Sequence, residues 1–372
     1  MLRALARVNV AAIERNCARL AEAAAPAALC AVVKADGYGH GAVPAARAAQ
    51  AAGAAWLAVA TAAEAADLRA ARIEGPLLVL GALSAEELDV ALNAGADVVC
   101  WRPAVAETIA ARAAALGLQP GVHVKLDTGM GRLGTRDADE AMRTADVVAA
   151  SSSLRLTGAF THFATADEPD PGFLREQLAA FTGWAEAVRA RHPGVLVHAA
   201  NSAATLAEPA ARFDMVRCGV AIYGLDPFQA DPAAQGLEPA LELGSYLAEV
   251  KPCAAGESAG YGRRFVAERD TWLGTIPIGY GDGYRRGLTN NAEVLVDGRR
   301  APVVGAVSMD NITVDLGPGE GPPVAPGAPV TLIGGDLRAE ELAARLATIN
   351  YEITCGLSRR VPREHHRDGE PA

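Results

Sequence analysis

Lys34 closes the apolar run Cys30–Val33. An amine at the end of a buried strand must find a partner or shed its proton, which suits it to Schiff-base or general-base chemistry. Taken alone, Lys34 also fits a lysine whose stem lies on apolar surface while its amine reaches water. Other apolar runs lead into polar residues in the same way. Val122–Leu126 carries Lys125 and runs into Asp127–Gly134, and Leu156–Phe160 precedes Thr161 and His162. Val195–His198 leads to Asn201 and Ser202, and Met215–Cys218 holds Arg217 ahead of Gly219 and Val220. Hydroxyls and backbone N–H groups at the last two places are the donors a phosphate needs. A lysine facing a phosphate site suggests pyridoxal phosphate, although Gly and Ser also simply make turns. His162 by itself fits a satisfied core histidine, and Arg132 a surface charge between turn glycines.

These residues need a scaffold that brings strand ends together. The runs Cys30–Val33, Trp56–Ala60, Leu77–Leu80, Asp97–Cys100, Val122–Leu126, Leu156–Phe160, Val195–His198 and Met215–Cys218 alternate with Ala-, Glu- and Arg-rich segments such as Ser84–Asn93 and Arg175–Arg191. Gly53, Gly95 and Gly117 stand where helix ends need a left-handed residue. Eight such units in about 220 residues predict an α/β fold with a TIM-like (β/α)8 barrel, whose sites lie at the carboxyl ends of the strands. A doubly wound sheet competes, but no GxGxxG turn follows an early strand. Beyond Tyr223 the runs are short and β-prone: Gly244–Val250, Trp272–Ile276, Ala292–Val296, Ala301–Val307, Ile312–Leu316 and Val330–Ile333. They predict a mainly β C-terminal domain with one helix over Arg338–Ala347, a closing run Tyr351–Pro362, and a solvated, mobile tail from Arg363 to Ala372. The division is placed at 11–232 for the barrel and 233–372 for the β domain.

A length of 372 residues suits about two domains, and 51% hydrophobic with 21% charged residues describes an ordinary globular chain. Thirty-four basic against forty-four acidic residues leave a net charge of −10, which opposes nonspecific binding to nucleic acid or to an anionic membrane. Cys17, Cys30, Cys100, Cys218, Cys253 and Cys355 are scattered, with no CxxC pair, so neither a metal site nor a disulfide framework is expected. Glu14, Arg15 and Arg19 interrupt the apolar residues at the N-terminus that a signal peptide would need to be continuous, and Pro44, Arg47, Gln50, Glu64 and Asp67 break the Ala-rich stretch Gly41–Leu68 before it could span a membrane, so a cytoplasmic protein is expected.

The segment AVVKADGYGHG (Ala31–Gly41) resembles the cofactor-lysine signature of the alanine racemases, fold-type III pyridoxal phosphate enzymes. The resemblance continues, in order and over nearly the whole length, through KLDTGMGRLG, FTHFATADE, HAANSAA, MVRCGVAIYG, GYG at Tyr261, IPIGYGDGYRR, VSMDN and INYEITCGLSRRVPR. It implies that Lys34 binds the cofactor covalently and then serves as one catalytic base, and that Tyr261 is the base on the opposite face. It implies contacts to the cofactor from Tyr38, Asn201, Ser202, Gly219, Val220 and Tyr351. Arg217 is implied at the pyridine nitrogen, with His162 linking that arginine to the tyrosine. Arg132 and Met309 are implied at the substrate, supported by Lys125, Tyr280 and Asp310. In some members the lysine corresponding to Lys125 is carbamylated and orients the arginine, and Ser308 stands where some have cysteine. A homodimer with active sites shared between chains is implied, with Tyr261 and Met309 serving the neighbour's cofactor, and residues 1–10 are implied to join the β domain. The implied activity is interconversion of L- and D-alanine, supplying D-alanine for peptidoglycan. A broader or catabolic amino-acid racemase is the alternative. A noncatalytic cofactor carrier would lack the β domain and Tyr261, and a decarboxylase of this fold type is disfavoured by the TGMGRLG segment and the tyrosine.

Overall fold

The computed structural model describes residues 2–372. Its first strand, β1 (Leu5–Asn9), alternates buried Ala6 and Val8 with half-buried neighbours, the period-2 pattern of a strand with one face on a core. The strands that follow are different. Val79, Val98, Val122, Val124 and Val216 lie in runs buried along their whole length, as expected where helices cover one face and the barrel interior fills the other.

One unit comprises Ile13–Phe228 and Ala233–Leu237. In it β2 (Ala28–Val32), β3 (Trp56–Val59), β4 (Leu77–Val79), β5 (Asp97–Cys100), β6 (Gly121–Lys125), β7 (Arg155–Phe160), β8 (Leu196–His198) and β9 (Met215–Cys218) close into a barrel in sequence order. The last strand pairs in parallel with the first, setting Cys30 opposite Arg217. The eight-stranded barrel expected from the repeated run-and-helix rhythm is therefore present. Local signals begin and end its helices. Thr61 and Glu64 form a capping box at the start of Ala62–Ala70, Ser84 and Glu87 do the same for Ala85–Asn93, and Gly117 at φ 66° closes Pro103–Leu116. Each box satisfies backbone donors that a helix start leaves open.

The second unit takes the N-terminal residues up to Ala12, Gln229–Pro232 and Glu238–Ala372. Its strands are β10 (Leu241–Tyr246), β11 (Glu249–Cys253), β12 (Ser258–Ala259), β13 (Phe265–Val266), β14 (Thr271–Ile276), β15 (Glu293–Val296), β16 (Arg299–Val304), β17 (Ile312–Gly317), β18 (Pro329–Ile333), β19 (Arg363–Arg367) and β20 (Glu370–Pro371). Ten strands form one sheet in the order β11-β14-β17-β16-β15-β18-β10-β1-β19-β20, and β12 and β13 form a separate pair.

Three local expectations are corrected here. The run Gly244–Val250 is two strands, β10 and β11, which pair with different partners, β18 and β14. The closing run Tyr351–Pro362 begins inside a helix, Asn350–Cys355, because its β-prone residues sit at positions that bury one helical face, Asn350, Ile353 and Thr354. The tail is not a free end: β19 lies parallel to β1, with Ala6 opposite Arg363 and Asn9 opposite His366. Pairing uses backbone groups, which are indifferent to the polarity of the side chains, and a polar strand is a common way to finish a sheet edge. Asn9 strengthens the join by donating to the Asp368 carboxylate at 2.9 Å and accepting from its N–H at 3.1 Å.

Candidate active site

Lys34 stands just past β2, and the four residues after it adopt a conformation that L-amino acids resist. Ala35, Asp36, Gly37 and Tyr38 have φ values of 52°, 52°, 61° and 53°, and Gly39 follows at 86°. Each non-glycine residue in the left-handed region costs about 1–2 kcal/mol, so the turn needs anchors. Glu64 supplies one, its carboxylate accepting from Ala35 N at 2.6 Å as well as from Ala60 N at 2.8 Å and Thr61 N at 3.1 Å. Asp36 supplies another by accepting from Ala42 N at 2.9 Å. The turn brings Tyr38 back beside Lys34, whose Nζ lies 5.9 Å from the ring centroid.

The Tyr38 hydroxyl reaches across to β9, where a Cβ on Gly219 would collide with it. Ser202 Oγ sits in the same place, accepting from Gly219 N at 3.0 Å and Ala221 N at 3.4 Å. Two hydroxyls and a glycine N–H thus converge beside Val220, which is buried at the start of the turn Val220–Tyr223. Asn201 plays a local part: its side chain caps the helix Ser202–Ala207 by accepting from Ala204 N at 3.0 Å.

Arg217 is almost completely buried. It donates to the carbonyls of Thr161 and Ala199 at 2.8 and 2.9 Å, to His162 Nδ1 at 3.2 Å and to His198 Nδ1 at 2.7 Å. Among the described residues no carboxylate touches it. Burial pulls its guanidinium down to about 10, which leaves it cationic at neutral pH. Lys125, also buried, is pulled down to about 8, by burial first and then by Arg217 and Arg132. Both cations lie against the Phe160 ring, Arg217 Cζ at 5.2 Å and Lys125 Nζ at 5.4 Å from its centroid. His162 titrates well below the ordinary range because burial and the charges of Arg217, Lys125, Arg132 and Lys34 all oppose its protonation. Its Nδ1 accepts from Arg217, so a neutral ring carries its proton on Nε2.

Arg132 is carried by a loop wound around Asp127. That carboxylate accepts from Gly129 N at 3.1 Å, Gly131 N at 3.0 Å and Arg136 Nε at 3.2 Å. Burial works against the charge, yet these donors hold the carboxyl below its usual range. Gly134, at φ 119°, closes the loop where a Cβ would press on the Asp127 backbone. Arg132 itself is exposed and makes no hydrogen bond or ion pair among the described residues.

The remaining predicted residues belong to the β unit. Tyr261 is 75% exposed on a short turn between Gly260 and Gly262, both at positive φ. Met309 and Tyr280 are 51% and 42% exposed. Their loops are tied together, Tyr280 N donating to Ser308 O at 3.0 Å and Gly281 N to Met309 O at 2.9 Å. Asp282, fully buried, braces this pair by accepting from both Nη groups of Arg3, at 2.6 and 2.9 Å, and from Gly279 N at 3.0 Å. Asp310 accepts from Arg360 at 2.6 Å. Tyr351 is half-buried in the helix Asn350–Cys355.

Sequence reasoning passed over Glu64, Phe160, His198, Arg3 and Asp282. The Thr61-x-x-Glu64 capping box was readable as a helix start, but nothing local says that the same carboxylate reaches Ala35. Among the described residues no cluster suited to a metal ion is present, and no helix is long and apolar enough to cross a membrane.

A barrel that gathers cations and hydroxyl donors around one lysine at the carboxyl ends of its strands defines a β/α-barrel enzyme with an anion-receiving site. Comparison with known proteins gives a narrower result. The profile "Alanine racemase, N-terminal domain" matches residues 8–227, and "Alanine racemase, C-terminal domain" matches residues 240–365. The alanine racemase of Thermobifida fusca is 44% identical over 366 residues, covering 96% of both chains. That of Desulfovibrio desulfuricans is 42% identical over 361 residues, again 96% of both. Among solved structures, the alanine racemase of Streptomyces coelicolor superposes with a TM-score of 0.92 at 39% identity over 97% of each chain. The enzyme from D-cycloserine-producing Streptomyces lavendulae gives 0.93 at 38% identity over 98% of this chain and 97% of that one. The chain belongs to the alanine racemase family.

Proposed function

We propose that this chain interconverts L- and D-alanine with pyridoxal phosphate as its resident cofactor. The observation that carries the reading is the surplus of positive charge: Arg217, Lys125, Arg132 and Lys34 all act on His162. The hydroxyls of Tyr38 and Ser202 meet beside Gly219 in the same unit. That donor set fits a phosphorylated, anionic group, and the missing Cβ at Gly219 is what lets the Tyr38 hydroxyl reach it.

Lys34 would hold the cofactor through its amine. Tyr38, Ser202, the N–H groups of Gly219 and Val220, and Tyr351 would take the phosphate, with Asn201 keeping Ser202 in place as the helix cap. When bound, the cofactor withdraws electrons from the substrate Cα and so acidifies its proton. Arg217 has donors only, so a ring nitrogen facing it must be an acceptor and stay unprotonated. By withholding a proton there, Arg217 would moderate the electron withdrawal and favour return of a proton to Cα over side reactions such as transamination.

Inversion at carbon requires a proton-transfer group on each face. The Lys34 amine serves one face and the Tyr261 hydroxyl the other. Arg132, on its Asp127-braced loop, would orient the substrate carboxylate, and Lys125 would steady Arg132 only once carbamylation had replaced its positive charge with a negative one. An amine lowered to about 8 also has the neutral fraction that carbamylation requires. Tyr261 and Met309 come from a second copy of the chain. Tyr261, Met309 and Tyr280 are all exposed in the single chain, which leaves them available to a second copy. The product, D-alanine, serves peptidoglycan synthesis in the cytoplasm.

The test is isotopic. Holoenzyme incubated with L-alanine in deuterated water should yield D-alanine and deuterium at Cα, and Lys34→Ala should lose both. Borohydride trapping followed by peptide mapping should label Lys34. Label at another lysine, or D-alanine without exchange at Cα, would contradict the assignment.

A further inference from the structure

Below the Lys34 turn, the barrel interior holds a polar chain that begins at Arg217 and whose other members, His198, His123 and Asp97, have no assigned role in the proposed reaction. Arg217 Nη1 meets His198 Nδ1 at 2.7 Å, His198 Nε2 meets His123 Nδ1 at 2.9 Å, and His123 Nε2 meets the Asp97 carboxylate at 3.3 Å. Both imidazoles are fully buried, and Asp97 is nearly so. The order of the protons follows from the end groups. A guanidinium can only donate, so His198 Nδ1 accepts. Burial, then Arg217 and His123, keep His198 well below the ordinary range, so its single proton lies on Nε2 and points at His123 Nδ1. His123 Nδ1 accepts in turn, which leaves its Nε2–H for Asp97. Every bond in the chain runs from Arg217 toward the carboxylate.

The strands are built around this chain. A Cβ on Gly121 would overlap the Asp97 carboxylate, and one on Gly158 would overlap the His123 ring. Neither glycine has a positive φ, so the space they leave, rather than an unusual backbone, is what a larger residue would remove. Phe160 stacks on His198 with its centroid 4.8 Å away and the planes 4° apart, and Trp56 meets His123 edge-on at 5.5 Å. The far end lies at the start of β5, where Arg155 approaches Asp97 at 3.8 Å.

We propose that Asp97 is a positioning residue for the reaction. It fixes the tautomers of His123 and His198 and, through them, the orientation of the Arg217 guanidinium. The proposal rests on the assignment of Arg217 to the cofactor's ring nitrogen, but its first test does not.

With histidine labelled in both ring nitrogens, NMR of the full-length holoenzyme should show His123 and His198 neutral, each with a bare Nδ1 and a protonated Nε2. Asp97→Asn keeps an acceptor oxygen and should keep this pattern, whereas Asp97→Leu should redistribute the His123 proton. In the Leu variant kcat should fall roughly tenfold, the usual scale for loss of an outer hydrogen-bonding partner, with KM for alanine changed less than about twofold. Transamination should rise relative to racemisation, and Asp97→Asn should restore most of the lost rate. An Nδ1–H tautomer or a doubly protonated ring in the unmodified enzyme overturns the proposal even if the Leu variant does not fold. So does a folded Leu variant with unchanged nitrogen signals or unchanged kcat. Absence of any racemisation in the unmodified enzyme, with the nitrogen pattern intact, would instead refute the proposed reaction.

Discussion

The left-handed turn after Lys34 makes a quantitative prediction. Ala35, Asp36 and Tyr38 together carry about 3–6 kcal/mol of conformational cost at about 1–2 kcal/mol each. Hydrogen bonds to a charged acceptor contribute about 1.5–3 kcal/mol each, and two of them, Ala35 N to Glu64 and Ala42 N to Asp36, are of the size needed to offset it. Both are solvent-accessible, which favours the lower end of that range. Glu64→Ala removes the acceptor of Ala35 N and, with it, those of Ala60 N and Thr61 N, so it should lower the unfolding free energy of the holoenzyme by about 2–4 kcal/mol, measured by urea titration. It should also reduce kcat, because Ala35 directly follows Lys34, the residue proposed to hold the cofactor. Ala35→Gly should act oppositely. It relieves about 1–2 kcal/mol at a positive φ and forfeits about 0.5–1 kcal/mol of chain entropy, a net gain of about 0.5–1 kcal/mol. The reasoning fails if Glu64→Ala leaves both stability and kcat unchanged, or if Ala35→Gly destabilises the protein.

Lys125 predicts a pH dependence. Its amine loses its proton near pH 8 in the folded chain against 10.5 ordinarily, so the unfolded state binds more protons between those values and stability rises with pH across that window. In carbon-dioxide-free buffer, Lys125→Met should be more stable than the unmodified protein by up to about 3 kcal/mol below pH 8. The advantage should vanish as the pH approaches 10.5, and a constant difference in pH-resolved melts would refute the burial argument. Replacing Arg217 by Glu would give the ring nitrogen that Arg217 is proposed to face a group that can share a proton, so transamination should increase relative to racemisation in product analysis; unchanged partitioning counts against the donor-only role. Mixing the inactive variants Lys34→Ala and Tyr261→Phe should restore roughly a quarter of the unmodified activity, since half of randomly assorted dimers are mixed and each mixed dimer has one intact site. No recovery after subunit exchange would exclude shared sites.

Much of this was legible along the chain. Apolar runs broken by helical segments, with Gly53, Gly95 and Gly117 marking helix ends, announced the barrel, because strands buried on both faces and helices with one apolar stripe leave local signatures. Lys34, Arg217 and His162 were visible because each stands at or just beyond a strand end, where a barrel collects its chemistry. The tail was misread for the opposite reason: β19 is held by its backbone, and the Arg-Glu-His-His-Arg side chains carry no trace of that.

What the amino-acid order determined by itself is the list of reactive groups and the scaffold type, since both depend on residue identity and short-range periodicity. What only the folded structure decided is how those groups are tuned. The depressed lysine at position 125, the guanidinium at 217 held by carbonyls and imidazoles, the carboxylate of Glu64 under the strained turn and the line of imidazoles leading to Asp97 all arise between residues far apart in sequence. Their energies depend on burial and on separations of a few ångströms, quantities that exist only once the barrel has closed.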